Sequence, residues 1–215
     1  VHSSHSFRPG RQRCRSGAEL CENEKQNEKE KPKLEGGKQG LSHVKLHTIN
    51  RLDARITSLS EKKEGALICY AMAGYPSLET TESIISSLVA GGADIIEIGI
   101  PFSDPIADGP TMQQASFYAL QHGTTPQKAL KMIGKVRAKF PDLPILVMTY
   151  SNIIFRTGFE SFLEDAHKAG VDGLILPDMP VEESENYVKA AKRLNLRTVF
   201  LVSPNTQESR LTSIV

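Results

Sequence analysis

The sequence of 215 residues has no apolar run long enough to cross a membrane, and its net charge is only +1. A membrane span needs about 20 consecutive apolar residues, and a nucleic acid usually binds to a strongly basic surface. Neither partner is therefore indicated. Hydrophobic residues still make up 39% of the chain, which is enough for a core. These features predict a soluble globular protein that acts on a small substrate.

Cysteine is also scarce. Cys14, Cys21 and Cys69 are odd in number and form no C-x-x-C pair, which argues against a disulfide scaffold and against a zinc site. His2 and His5 lie upstream of the first two cysteines, but the surrounding segment is so polar that a solvated tail is the favoured interpretation. The sequence thus predicts no metal and a reducing compartment.

Several catalytic motifs are missing as well. No G-x-G-x-x-G follows the first predicted strand, and no G-x-S-x-G is present. The only histidines in the predicted folded part, His122 and His167, lie in helical, surface-like contexts. A dinucleotide-binding fold, a serine hydrolase and a histidine-centred triad are accordingly disfavoured. Acid–base chemistry by carboxylates remains.

The first 48 residues differ in composition from the rest. They are rich in Glu, Lys, Gln and Gly, with Phe7 as the one aromatic residue, so they cannot bury enough apolar surface to offset the entropy of ordering. We expect residues 1–48 to be disordered. Four arginines and no acid in the first eighteen residues are compatible with an organelle transit peptide, whereas a start at Val1 favours a non-native extension equally. We expect a cytoplasmic protein, with the plastid stroma as the alternative.

From residue 49, apolar strands alternate with amphipathic helices. The predicted strands are ALICYAMAG, ADIIEIGI, PILVMTY, VDGLILP and LRTVFLV. Ser77 is a predicted helix N-cap, and Thr125 caps another helix that has Pro126 at its first position. This alternation indicates an α/β protein with a parallel sheet covered by helices. We favour a TIM (β/α)8 barrel over an open doubly wound sheet. Because a complete barrel takes about 250 residues, residues 49–215 are expected to form its N-terminal five-strand portion.

The most informative stretch is EIGIPFSDPIADGP, residues 97–110, which follows the apolar run ADII. Glu97 is flanked by isoleucines in a strand that is expected to be buried on both faces. A buried carboxylate is costly, so either a cation pairs with it or it is a catalytic group with a raised pKa. Asp104 and Asp108 lie in the loop after this strand, where aspartates that hydrogen-bond to the backbone are the ordinary alternative.

Other polar side chains lie within or just after the remaining strands. Tyr70 is in the first strand, Tyr150 and Asn152 follow the third, and Asp178 follows the fourth, again with a turn role as its alternative. Because the carboxyl ends of parallel strands meet at one edge of the sheet, these residues are candidates for a shared site.

The stretches AMAGYP, ADIIEIGIPFSDPIADGPTMQ, TYSNIIF and GVDGLILPDMPVEES resemble the alpha subunit family of tryptophan synthase, over about residues 49–215. The resemblance implies a (β/α)8 barrel that acts in tryptophan biosynthesis as a carbon–carbon lyase without a cofactor. It would cleave indole-3-glycerol phosphate to indole and glyceraldehyde 3-phosphate. It also implies a pyridoxal-phosphate-dependent beta subunit as the partner, in an alpha2beta2 tetramer, to which indole passes.

The resemblance also assigns residues to roles. Glu97 matches the family's acid–base glutamate, and Asp108 matches the aspartate that stabilises the indole N–H. Tyr150 matches a tyrosine near the substrate, and Tyr70 stands where the family often has an indole-facing phenylalanine. The residues in segments that face the beta subunit are Asp104, Pro105, Asn152, Phe155 and Pro180.

The family's phosphate-binding loops follow strands seven and eight, and its mobile closing loop follows strand six. All of these lie beyond the five predicted strands, so we expect residues 1–215 alone to be unstable or inactive. The alternative function is a catalytically inactive barrel that binds the beta subunit. A different phosphate-binding barrel is a third possibility, which the specificity of the residue 97–110 motif disfavours.

Overall fold

A computed structural model describes residues 49–214, so the predictions for residues 1–48 lie outside it. Five parallel strands form one sheet in the order β1-β2-β3-β4-β5. Their bounds are β1 Ile68–Met72, β2 Ile95–Gly99, β3 Ile145–Met148, β4 Gly173–Ile175 and β5 Arg197–Val199. Each strand pairs in parallel with the next along the chain. The predicted parallel α/β architecture is confirmed.

Helices separate the strands. Their bounds are α1 Arg51–Lys62, α2 Leu78–Ala90, α3 Pro110–Gln121, α4 Pro126–Lys139, α5 Ser151–Thr157, α6 Phe159–Lys168, α7 Glu185–Arg193 and α8 Glu208–Ile214, with a 3-10 turn at Val181–Glu183. The sequence did not predict α5, because seven residues are too few to show a helical period. None of the helices in residues 49–214 is long and apolar enough to span a membrane.

Two predicted helices begin at the capping residues that the sequence indicated. The Ser77 hydroxyl accepts a hydrogen bond from the Thr80 amide at 3.1 Å, at the start of α2. Thr125 caps α4 in the same way, and Pro126 occupies the first helical position. Both caps satisfy amides that have no partner within the helix, which confirms the two predictions.

The two faces of the sheet pack against different groups of residues. In the register of the strands, Tyr70, Glu97, Leu146, Gly173 and Arg197 form one row across the sheet. We call the face that carries this row the inner face. Side chains alternate along a strand, so the strand residues immediately before and after this row, among them Ala71, Ile96, Ile98, Val147 and Leu174, point to the opposite face and pack under the helices. They belong to the main core, which includes Ile85, Ile96, Ile98, Ile133, Val147, Phe162 and Leu174.

The amino-terminal ends of β3 and β4 are joined by hydrogen bonds to Asp172, whose side chain is buried. One carboxylate oxygen accepts from Arg137 at 2.7 Å and from the Ile145 amide at 2.8 Å, and the other accepts from Arg51 at 2.9 Å. Arg137 also donates to backbone carbonyls in the neighbouring loops. This network stabilises the end of the sheet that lies opposite the candidate site. In such folds the carboxyl-terminal end of the strands carries the site, and the amino-terminal end contributes to stability.

Candidate active site

Glu97 lies in the middle of β2 on the inner face, between Tyr70 on β1 and Leu146 on β3. It is partly buried, while the other four residues of β2 are fully buried. Burial raises the pKa of the Glu97 carboxyl, and the negative charge of Asp108 raises it further. This environment favours a protonated carboxyl, which can donate a proton and then take one back.

Asp108 lies near the end of the loop that connects β2 to α3, residues 100–109, which we call the catalytic loop. Its amide donates to the Pro105 carbonyl at 3.0 Å, and its own carbonyl accepts from the Gln113 side chain at 2.9 Å. Burial raises the pKa of the Asp108 carboxyl, while a hydrogen bond with the Tyr150 hydroxyl lowers it. The structure thus brings Asp108 into electrostatic contact with Glu97 and gives it a bond that favours its ionised form.

Tyr70 is the register partner of Glu97, and its ring lies over Gly99. The hydroxyl contacts the Met72 sulfur at 3.8 Å, which is a weak acceptor. Burial and the charges of Asp108 and Glu97 raise the pKa of the Tyr70 phenol, so it stays a neutral donor. Tyr70 therefore adds an aromatic surface and an O–H group beside the two carboxylates.

Tyr150 follows β3 and is almost fully buried. Its hydroxyl accepts a hydrogen bond from the Ala107 amide at 3.1 Å, and its ring stacks on Phe102 with a centroid separation of 5.1 Å. Burial is the main cause that raises the pKa of Tyr150 to about 12. The sequence identified this residue but did not reveal its contacts with the catalytic loop, because the hydrogen-bond partner Ala107 is 43 residues away.

Asp178 hydrogen-bonds to Ser151, 27 residues away, and so does not have the local turn role that was its alternative. Its carboxylate accepts from the Ser151 amide at 2.9 Å and from the Ser151 hydroxyl at 2.6 Å. These bonds satisfy the amino end of α5 from the loop after β4, since Tyr150 at the N-cap makes no side-chain capping bond. Asp178 thereby links the loops that follow β3 and β4.

Two of the residues matched to the partner surface line one cleft of about 790 Å³, namely Asp104 and Asn152. Pro105 lines an adjoining hollow that shares Phe102 and Ser103 with the cleft. Phe155, on the same helix as Asn152, leaves 60% of its surface exposed. Pro180 is partly exposed before the 3-10 turn and lines neither depression.

The part of the chain in the structure, residues 49–214, contains no group of three or more His, Cys, Asp or Glu side chains that could hold a metal ion. Cys69 is a free, partly exposed thiol on β1. The chemical groups that the site offers are thus carboxyl and phenol groups.

Comparison with known proteins identifies relatives of this chain. The family model described as "Tryptophan synthase alpha chain" matches residues 38–215. The tryptophan synthase alpha chain of Methanosarcina barkeri is 46% identical over 165 residues, which cover 77% of this chain and 62% of the relative. That of Photobacterium profundum is 40% identical over 166 residues, with the same coverage. The chain therefore spans about three fifths of the length of these relatives.

Solved structures agree. The alpha subunit from Legionella pneumophila superposes with a TM-score of 0.76 at 36% identity, covering 78% of this chain and 64% of that one. Tryptophan synthase from M. tuberculosis gives 0.73 at 34% identity, covering 77% of this chain and 66% of that one. These superpositions show the fold of a TIM-barrel alpha subunit and confirm the predicted barrel class.

Proposed function

Because the chain belongs to the tryptophan synthase alpha chain family, we propose that it supplies the acid–base residues for cleavage of indole-3-glycerol phosphate to indole and glyceraldehyde 3-phosphate. The observation that carries this proposal is that Asp108 in the catalytic loop lies close enough to Glu97 on β2 for its charge to raise the pKa of Glu97, while burial raises the pKa of both carboxyls. Their environments differ, because the Tyr150 hydroxyl lowers the pKa of Asp108, whereas the nearby charge of Asp108 raises the pKa of Glu97. Such a difference separates an acid from a charge stabiliser.

The reaction breaks the bond between indole C3 and the side-chain carbon that bears a hydroxyl. Its electron pair remains on C3, which takes up a proton, while the hydroxyl loses its proton and becomes the aldehyde carbonyl. Burial and the charge of Asp108 raise the pKa of Glu97, so its protonated form is more accessible than that of an exposed glutamate. We assign both proton transfers to Glu97, as general acid toward C3 and general base toward the hydroxyl.

We assign Asp108 the role of stabilising the positive charge that develops on the indole nitrogen. Protonation at C3 places positive charge on this nitrogen, and an ionised carboxylate that accepts the N–H hydrogen bond stabilises that charge. The bond from Tyr150 lowers the pKa of Asp108 and so favours the ionised form that this role requires. Tyr70, with its ring beside Glu97, is assigned to the indole face. This chemistry requires no cofactor.

The proposal extends to a partner. Indole would pass to a pyridoxal-phosphate-dependent beta subunit in an alpha2beta2 tetramer, which docks on Asp104, Pro105, Asn152, Phe155 and Pro180. The cleft shared by Asp104 and Asn152 and the exposed Phe155 ring support such a surface. We place the reaction in the cytoplasm, with the plastid stroma as the alternative.

The test is Glu97→Gln in the full-length natural protein, with release of indole from indole-3-glycerol phosphate as the readout. The substitution keeps the shape but removes the transferable proton, so kcat should fall by about 10³-fold while KM changes by less than about threefold. Glu164→Gln, an exposed position on α6, is the matched control and should retain full activity. Wild-type turnover in the Glu97 variant would refute the assignment.

The same assay of indole release distinguishes the lyase from the alternative function, a catalytically inactive barrel that binds the beta subunit. A wild-type protein that binds the beta subunit but releases no indole would be a binding module and not a lyase.

A further inference from the structure

We propose that Tyr150 is a positioning residue that holds the catalytic loop, and with it Asp108, in the arrangement where this aspartate faces Glu97. The sequence and the family resemblance place Tyr150 only near the substrate. The inference deepens the proposed function and rests on it for the role of Asp108.

Tyr150 contacts the catalytic loop at two separate points. Its hydroxyl accepts from the Ala107 amide at 3.1 Å, next to Asp108, and its ring stacks on Phe102 near the start of the loop. A single side chain therefore contacts the catalytic loop both near its start, at Phe102, and near its end, at Ala107. A hydroxyl can accept one hydrogen bond while it donates another. The Tyr150 hydroxyl that accepts from Ala107 therefore still has a proton to direct at the Asp108 carboxylate, whose pKa this interaction lowers.

The catalytic loop has little other support from outside. Phe102 is bonded through its backbone to the Ser116 hydroxyl on α3, at 2.8 Å in both directions. Between residues 103 and 108, the other hydrogen bonds seen in the described structure stay within the loop or come from Gln113 at the start of α3. Tyr150 thus connects this segment to the neighbouring strand of the sheet.

Tyr150 itself is rigidly held. It is only 3% exposed, and a single residue, Thr149, separates it from the end of β3. The next residue, Ser151, is bonded through its amide and its hydroxyl to Asp178 from the loop after β4. A side chain fixed in this way can define the position of a functional group within a fraction of an ångström, as catalysis requires.

The hydroxyl also acts on the ionisation of Asp108. The titratable groups that face the Asp108–Tyr150 pair are Glu97 from β2, Tyr70 from β1 and Asp178 from the loop after β4. Two of these are carboxylates, and like charge disfavours ionisation. The Tyr150 hydrogen bond opposes burial and lowers the pKa of Asp108. Removal of this hydroxyl should therefore raise that pKa.

The test is Tyr150→Phe in the full-length natural protein. Phenylalanine retains the ring that stacks on Phe102 and removes only the hydroxyl. We expect kcat to fall about tenfold, the loss typical of a hydrogen bond to a charged group, with a smaller change in KM. The acidic limb of the kcat–pH profile should move to higher pH, because the Asp108 carboxyl then ionises at a higher pH. A carbon-13 NMR titration of the Asp108 carboxyl in ligand-free protein should show the same upward shift.

Tyr187→Phe is the matched control. Tyr187 is also 3% exposed, and its hydroxyl donates to the Leu174 carbonyl at 3.3 Å, on the helix-covered side of the sheet. This variant loses a buried hydroxyl of the same kind but should keep the wild-type pH profile and Asp108 titration.

Phe102→Leu provides a second, independent variant, because it weakens the ring contact without touching the hydroxyl. It should lower kcat by a smaller factor and is informative if the Tyr150 variant does not fold. An unchanged pH profile and an unchanged Asp108 titration in a folded Tyr150→Phe protein would overturn the inference. If wild-type protein releases no indole, the proposed function fails, whereas the NMR titration still decides whether Tyr150 controls Asp108.

Discussion

The Tyr70 hydroxyl lies so close to Gly99 that a Cβ at position 99 would overlap it. The two residues are on adjacent strands, where Tyr70 pairs with Glu97 and Met72 pairs with Gly99. The missing side chain of Gly99 therefore creates the space that the phenol ring occupies beside the proposed acid–base glutamate. A residue without any functional group thus shapes the candidate site.

Gly99→Ala should damage both stability and the site. The added methyl group forces the Tyr70 ring to move, and such overpacking costs about 1–3 kcal/mol of unfolding free energy. Denaturant unfolding and indole release measure the two effects. Gly134→Ala is the control, because a Cβ there meets nothing within 4 Å and alanine stabilises a helix by up to about 1 kcal/mol. Addition of Tyr70→Phe to Gly99→Ala should recover part of the loss; no recovery would contradict the overlap.

Glu97→Gln should change how stability depends on pH. Burial raises the folded-state pKa of Glu97 above the usual value of 4.5. The folded state therefore binds this proton more tightly than the unfolded state, and its stabilising effect is present below pH 4.5 and lost as the pH rises through the folded pKa. Glutamine removes that loss, so the variant should gain stability relative to wild type as the pH rises.

Urea unfolding of the two proteins between acidic and neutral pH measures this difference. The exposed Glu164→Gln should show a stability difference that does not change over the same range. A pH-independent difference for Glu97→Gln would show that burial does not perturb this carboxyl.

Arg137→Met should destabilise the fold without altering the chemistry of the site. Asp172 is 2% exposed and would lose one of the partners of its buried charge. Removal of one member of a buried ion pair costs about 3–5 kcal/mol. Lys135→Met, at an exposed position on the same helix, should change stability by less than about 0.5 kcal/mol. Since Asp172 lies at the opposite end of the sheet, kcat per folded molecule should stay at the wild-type value; a reduced value would argue against this separation.

Phe155→Ser should weaken association with the beta subunit while the fold remains stable. Phe155 is 60% exposed, so its truncation removes little buried surface from the folded chain. Loss of an aromatic anchor from an interface costs more than about 1 kcal/mol, or at least about fivefold in Kd. Titration calorimetry with the beta subunit measures the change. Ile56→Ser on α1, 50% exposed and away from the proposed docking surface, is the control and should bind normally. Equal weakening by both variants would argue against a localised docking surface.

Much of the fold followed from local patterns. The strands are apolar on both faces because helices cover one side and the other carries its own buried cluster of Leu52, Ile95, Leu146 and Ile175. The sequence shows that double burial as near-continuous apolar runs. Helix α5 escaped detection because it has only seven residues and because its start depends on a bond between Ser151 and Asp178, which is 27 residues away. Local sequence carries no signal for a bond of that kind.

For the candidate site, the sequence by itself determined the residue types: a glutamate among isoleucines, a proline-rich loop with two aspartates, and the tyrosines near the strand ends. Alternating side chains within each strand also determine which residues share a face. Only the tertiary structure decided how the two carboxylates differ in environment and where each tyrosine lies. It set Tyr70 over Gly99 and placed the Tyr150 hydroxyl where it accepts from Ala107 and lowers the pKa of Asp108. The physical reason is that burial and hydrogen bonding depend on neighbours across strands and loops, and these meet only when the sheet assembles.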